Sequence, residues 1–169
     1  DKAYHRYRAV KRARVLVIAG LLCVSVGLMA GGRALMAREK EQRYSDLLME
    51  ASQLYTSAPD EALDTLELAQ SLYPDREEGY RQYAYALYLN GDYQACVDYG
   101  ESCPFPRDGQ ILLTVASAYF EQGEYEQAAR DFYDGAQSFE MNADHLRDYA
   151  VCLGRTGDID GAEEVLEEL

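Results

Sequence analysis

Gly123-Glu124-Tyr125-Glu126-Gln127-Ala128 decides the fold, because the chain writes it more than once. It returns 34 residues later as Gly157-Asp158-Ile159-Asp160-Gly161-Ala162, and it is anticipated 32 residues earlier by Gly91-Asp92-Tyr93-Gln94-Ala95-Cys96. Ala62 precedes Cys96 by another 34 residues. A helical apolar pattern lies before and after each copy. The chain therefore reads as helix, tight glycine turn, helix, repeated at a fixed period, which is the mark of a stacked-repeat architecture.

Outward from these turns the periodicity defines four units, at about 43–76, 77–108, 109–142 and 143–169. Tyr80, Tyr83, Ala84, Leu87, Gly91, Cys96, Gly100 and Cys103 carry the pattern in the second unit. Leu112, Val115, Ala116, Tyr119, Gly123, Ala128, Phe132 and Gly135 carry it in the third, and Leu146, Tyr149, Ala150, Leu153, Gly157, Ala162, Leu166 and Leu169 in the fourth. The first unit keeps Ala62, Leu66, Ala69 and Pro74. Its opening helix, with Leu47, Leu48, Ala51, Leu54 and Tyr55, runs one residue out of phase, and Pro59 stands where the turn glycine would be. Small residues let the two helices of a hairpin approach, large ones fill the space between hairpins, and glycine accepts the turn. A hairpin cannot bury its apolar face alone, so the units must stack.

This pattern resembles the tetratricopeptide-repeat family over about three quarters of the chain. The resemblance implies an all-α solenoid of about four helical hairpins. It also implies a concave wall lined by the first helix of each unit. That wall would hold Glu78, Arg81, Tyr85, Tyr88 and Leu89 from the second unit, and Gln110, Leu113, Ser117, Phe120 and Glu121 from the third. The fourth would add Asp144, Arg147, Val151, Gly154 and Arg155, and the first Ser45, Leu48, Ser52, Tyr55 and Thr56. Rigid aromatics and arginine anchor many protein interfaces. The expected groove is therefore a peptide or partner helix lying on Tyr85, Tyr88 and Phe120, with Arg81, Arg147 or Arg155 pairing its carboxylates. The competing reading is that the tyrosines, fifteen in the chain, pack between repeats. Some family members clamp a C-terminal carboxylate with Lys and Asn. Here the matching positions hold Arg81 and Tyr85, or Leu48 and Ser52, so that clamp is absent.

One unit departs from the pattern. Gly100 replaces a bulky residue, and Cys103-Pro104-Phe105-Pro106 must stop the helix before it, since proline excludes the helical region for its predecessor. This predicts a short helix and a shallow groove between the second and third units.

Ahead of the repeats, Val15 to Gly32 runs eighteen residues without a charge, and Ala34–Ala37 extends it past Arg33. A bilayer core of ~30 Å takes about 20 helical residues, so 15–37 reads as one transmembrane helix. Residues 1–14 hold six Lys/Arg against one acid. The positive-inside rule then places 1–14 in the cytoplasm as a basic juxtamembrane segment, and 38–169 outside. A cleaved signal peptide is the rival, but the run is long for one and lacks a small-x-small cleavage site.

Charge divides the same way. Residues 44–169 carry 27 Asp/Glu against six Arg, net −21. Such a surface repels phosphate, which excludes nucleic acid as its partner. Cys96 and Cys103 lie two helical turns apart, about 10 Å, beyond the ~7 Å a disulfide spans. They and Cys152 read as packing residues, and Cys23 as part of the span. The two histidines, His5 and His145, stand apart from any cysteine cluster, and His145, opening a helix, is expected exposed. No nucleophile-elbow, phosphate-loop, zincin or kinase motif occurs, and no cofactor site is expected.

The sequence thus reads as a non-catalytic, membrane-anchored scaffold that binds protein or peptide. Asp1 in place of Met and a periodic pattern running to Leu169 suggest a piece of a longer chain. Two further readings follow. One is the transmembrane and external part of a bacterial receptor-like Ser/Thr kinase, with its catalytic domain before Asp1. The other is an extracytoplasmic chaperone that holds unfolded chains.

Overall fold

In the computed structural model, residues 29 and 31–169 are described. They fall in two compact units, Asp1–Arg43 and Tyr44–Leu169. In the first, residues 31–43 are helical and exposed. The basic segment 1–14, with His5, and most of the 15–37 span, with Cys23, lie outside the described residues. Among the described residues no helix is long and apolar enough to cross a membrane.

The second unit is helical throughout, with no strand among its residues. It opens with α1 (44–54). Seven helices follow: α2 Pro59–Leu72, α3 Glu77–Leu89, α4 Tyr93–Ser102, α5 Gly109–Gln122, α6 Tyr125–Ala136, α7 Ala143–Thr156 and α8 Ile159–Glu167. Sequential helices pack in antiparallel hairpins, and α3, α5 and α7 pack side by side across units.

The three glycine turns are one structure made three times. Gly91, Gly123 and Gly157 have φ of 80°, 80° and 95°. In each, the following amide closes the helix end: Asp92 N to Leu87 O at 3.0 Å, Glu124 N to Tyr119 O and Asp158 N to Leu153 O at 2.9 Å. A Cβ at these glycines would meet nothing within 4 Å. The positive φ alone demands glycine. The first hairpin turns differently, through Ser57 and Ala58 amides on Leu54 O, and Pro59 takes the first helical position, where its missing N–H costs nothing.

The small residues meet as the pattern requires. Ala84 and Cys96 are both fully buried, with the Cys96 thiol 3.4 Å from Ala84 O. Ala116 and Ala128 lie in one buried cluster with Phe132, Leu113 and Cys152. Burial pushes the Cys96 and Cys152 thiols up to about 12, so neither is a ready nucleophile.

The irregular unit takes the predicted form. Helix α4 has ten residues and stops at Cys103, whose φ −68° and ψ 160° are extended. The space left by Gly100 is not vacant, however. Helix α5 has moved into it, so that a Cβ on Gly100 would sit 2.3 Å from Val115 Cγ2. A groove of about 410 Å³ opens alongside, bordered by Gly100, Pro106, Leu112, Tyr119, Arg130 and Asp131.

Candidate protein-binding face

Arg81 is committed inside the protein. Its Nε donates to Asp108 Oδ1 and Oδ2 at 3.1 and 2.9 Å, and its Nη2 donates to Asp108 Oδ2 at 2.6 Å and Glu77 Oε2 at 2.7 Å. The Asp108 side chain is 8% exposed and also caps α5 through the Gln110 and Ile111 amides, each at 3.1 Å. Burial pushes the Asp108 carboxyl up, but Arg81 and the Ile111 amide outweigh it and hold it below the ordinary value. The Asp108 hydrogen bond in turn raises Arg81. This forked pair ties α3 to the start of α5, so Arg81 does not stand open for a ligand carboxylate.

The other arginines of the expected groove are also engaged. Arg147 pairs with Asp144 and donates to Ala143 O at 3.1 Å, remaining exposed. The Arg155 guanidinium lies 5.6 Å from the Tyr125 ring centre.

Two expected groove residues are corrected. Leu113 is 0% exposed and Ser117 4%. Leu113 fills the space over Gly135, where a Cβ would meet its side chain at 2.9 Å, and Ser117 Oγ donates back to Leu113 O at 3.0 Å. Position within a repeat does not decide exposure here, because helices on both sides close over α5. His145 is corrected likewise. It is half-buried against Phe132, its ring nitrogen facing the Asn142 amide in a capping box, and burial lowers its pKa.

What remains at the surface is a run of rings. Tyr85 is 43% exposed, meets the half-buried Tyr55 edge-on at 5.9 Å and stacks on Tyr88 at 6.5 Å. Tyr88 continues to Tyr93 at 5.8 Å. Further along, half-buried Phe120 meets Tyr125 edge-on at 5.9 Å, and Val151 is exposed. The Tyr55 hydroxyl is held by Gln82 Oε1 at 3.0 Å. Glu78, on the same helix as Tyr85, pairs with Arg81 Nη1 at 3.7 Å. Burial first, then Glu121 and Asp148, raise Tyr88 to about 12. Burial, then Tyr85 and Glu78, raise Tyr55 to about 12. Asp148 is itself raised by burial, Glu121 and Asp144, with Arg147 opposing the rise.

Asp148, Tyr93 and Tyr125 were absent from the sequence-derived groove. The two tyrosines had a signal: each follows its turn glycine by two residues, Gly91 to Tyr93 and Gly123 to Tyr125. Asp148 had none, since one carboxylate among 27 in that stretch carries no mark. Among the described residues, no group of His, Cys, Asp and Glu could hold a metal ion.

Stacked hairpins joined by glycine turns give the chain a fold of the tetratricopeptide-type solenoid kind. Residues 110–169 match the family described as "YpiA-like, C-terminal tetratricopeptide repeats". MamA of Desulfovibrio magneticus RS-1 superposes with TM-score 0.58 at 13% identity, over 74% of this chain and 72% of that one. A thermophilic TPR protein of Thermus thermophilus gives 0.57 at 22% identity, over 73% and 71%. MamA of strain AMB-1 gives 0.51 at 17%, over 78% and 83%. No curated protein matches the chain. At these identities the likeness is one of fold.

Proposed function

We propose that this chain is a tetratricopeptide-repeat scaffold without a catalytic centre of its own. It docks a polypeptide partner on the face built by Tyr55, Tyr85, Tyr88 and Phe120, and Val15–Ala37 anchors it in a membrane. The observation that carries the docking reading is the ring run itself. Tyr85 stays 43% exposed and in contact with Tyr55 and Tyr88, rings that the core only half covers, while Leu89 and Val151 stay 42% and 43% exposed. Large rigid rings left at a surface are typical anchors for a partner. The anchor rests on the uncharged run, and the orientation, 1–14 cytoplasmic and 38–169 extracytoplasmic, on the basic residues before it.

A photo-crosslinking amino acid at position 85 of the full chain, in living cells, tests the docking. Partner adducts are expected from position 85 and not from position 163 on the exposed side of α8. Equal yield at both positions would refute it. Labelling of single cysteines placed at 10 and 163 in intact cells reports the topology: only 163 should react with an impermeant reagent.

A further inference from the structure

The irregular unit leaves a feature that the ring face does not use. The groove beside Gly100, about 410 Å³, falls in the range of about 300–1,000 Å³ that small-ligand sites occupy. None of its lining residues belongs to the ring run. Its floor is apolar, made by Pro106 and by Leu112 and Val115 of α5. One wall is α4, with Glu101, and the other is α6, with Arg130, Asp131 and Asp134. Three carboxylates and one guanidinium thus line a single space. Glu101 accepts the Tyr119 hydroxyl at 3.3 Å. Arg130 opposes the charge of Asp131, yet among the described residues it makes no ion pair with any of the three carboxylates. An acidic occupant would be repelled by the excess of carboxylates. A neutral apolar one would cover the half-buried Asp131 and leave it without a partner.

We infer that this groove takes a lysine or arginine side chain from an extended segment of a partner protein. The aliphatic stem lies on Pro106, Leu112 and Val115, and the charged head sits between Glu101 on α4 and Asp131 and Asp134 on α6. Long cationic side chains suit such a place, because they cover apolar surface with their stems while the head stays at the polar rim. The carboxylates of the two walls then decide which partner is accepted. The site stands apart from the ring face, and the two can succeed or fail separately.

Selection of random dodecapeptides on the immobilised full chain is the test, with synthetic winners titrated against variants. A group of winners carrying Lys or Arg should lose about tenfold in affinity on D131N/D134N. The same winners should change less than about twofold on Tyr85→Leu, and less than about twofold on the charge-matched E163Q/E164Q pair exposed on α8. Norleucine in place of the winner's cation should cost as much as D131N/D134N, and the two changes together should cost no more than either alone. Additive losses would mean that cation and carboxylates do not meet, and would overturn the inference. Equal losses from the two carboxylate pairs would reduce the effect to bulk charge and overturn it as well. If D131N/D134N weakens no winner, or only acidic or apolar ones, the inference fails while the ring face stands untouched; winners lost only on Tyr85→Leu would belong to that face. Spermidine or a peptide of residues 1–14 that binds more tightly than the winners would give the groove to a small amine or to the chain's own basic segment. An assembly that D131N/D134N dissociates would give it to a second copy. Each of these results overturns a partner's side chain as occupant.

Discussion

Helices α5 and α8 are built from the same repeat logic and end in different states. α5 buries eight residues, from Gly109 to Ala118, and packs against α3, α4, α6 and α7. α8 buries none and packs on α7, leaving Ile159, Leu166 and Leu169 exposed at 57%, 50% and 55%. Leu166 and Leu169 hold the positions that Phe132 and Gly135 hold one hairpin earlier, where both are buried. What a repeat position contributes is therefore decided by the neighbours stacked on it. Stability in such a stack is carried by interfaces between hairpins.

The largest test of that contrast is truncation at equivalent positions. Phe132→Ala empties a fully buried ring site between α5, α6 and α7, and should cost about 3–5 kcal/mol in urea unfolding. Leu166→Ala, one repeat on, should cost well under about 1 kcal/mol. Similar costs at both positions would mean that α8 is covered in solution.

A second pair separates glycines kept for closeness from glycines that are incidental. Gly100→Ala places a methyl 2.3 Å from Val115 Cγ2, and a β-branched side chain in a helix cannot rotate away. The helices must part, at about 1–3 kcal/mol. Gly154→Ala, within α7, meets nothing within 4 Å and should stabilise by about 0.5–1 kcal/mol. Thermal melts of the two variants should shift in opposite directions.

The outcome at Gly100 marks how far the sequence could be read. Helix order, the turn glycines and the end of α4 before Pro104 follow from local chemistry: positive φ, a missing N–H and a 34-residue period. Those are written in neighbouring residues. That α5 would slide into the gap at Gly100, or that Leu113 and Ser117 would be covered, depends on how far two helices approach, and no local pattern records that distance. The candidate face divides likewise. The exposure of Tyr85 and the half-burial of Tyr88 agree with their repeat positions. The commitment of Arg81 to Asp108, 27 residues on, was not legible, because it joins two units through a loop whose path Pro104 and Pro106 set.

That loop offers the next smaller effect. Asp108→Ala removes a helix cap and leaves Arg81 with only exposed carboxylates, which should cost about 1–2 kcal/mol at pH 7. Asp108's folded pKa lies below its ordinary 3.8, so its contribution is complete above that value and disappears as pH falls through the lower, folded pKa. The wild-type and Asp108→Ala stability curves should therefore converge only at strongly acid pH. The fourth hairpin has no equivalent pair: its cap, Asn142, is uncharged, and Asn142→Ala should give a loss without that acid dependence.

The smallest effect has the opposite sign. Asp131 borders the groove beside Gly100, and burial raises its carboxyl to about 6, with Asp134 adding to the rise, Arg130 opposing it and Glu101 adding again. A carboxyl raised on folding binds its proton more tightly in the native state. Its penalty is absent below the unfolded value of 3.8, grows as pH rises, and is complete above about 6. Water reaches the half-buried group and screens much of that penalty. Asp131→Asn should thus stabilise the protein at pH 7 by no more than about 1 kcal/mol, and leave it unchanged below pH 3.8. A gain that persisted in acid would have to come from amide hydrogen bonds in the groove. A gain confined to neutral pH would show that α5 and α6 carry an uncompensated charge at the same junction where α3 and α5 are joined by a compensated one.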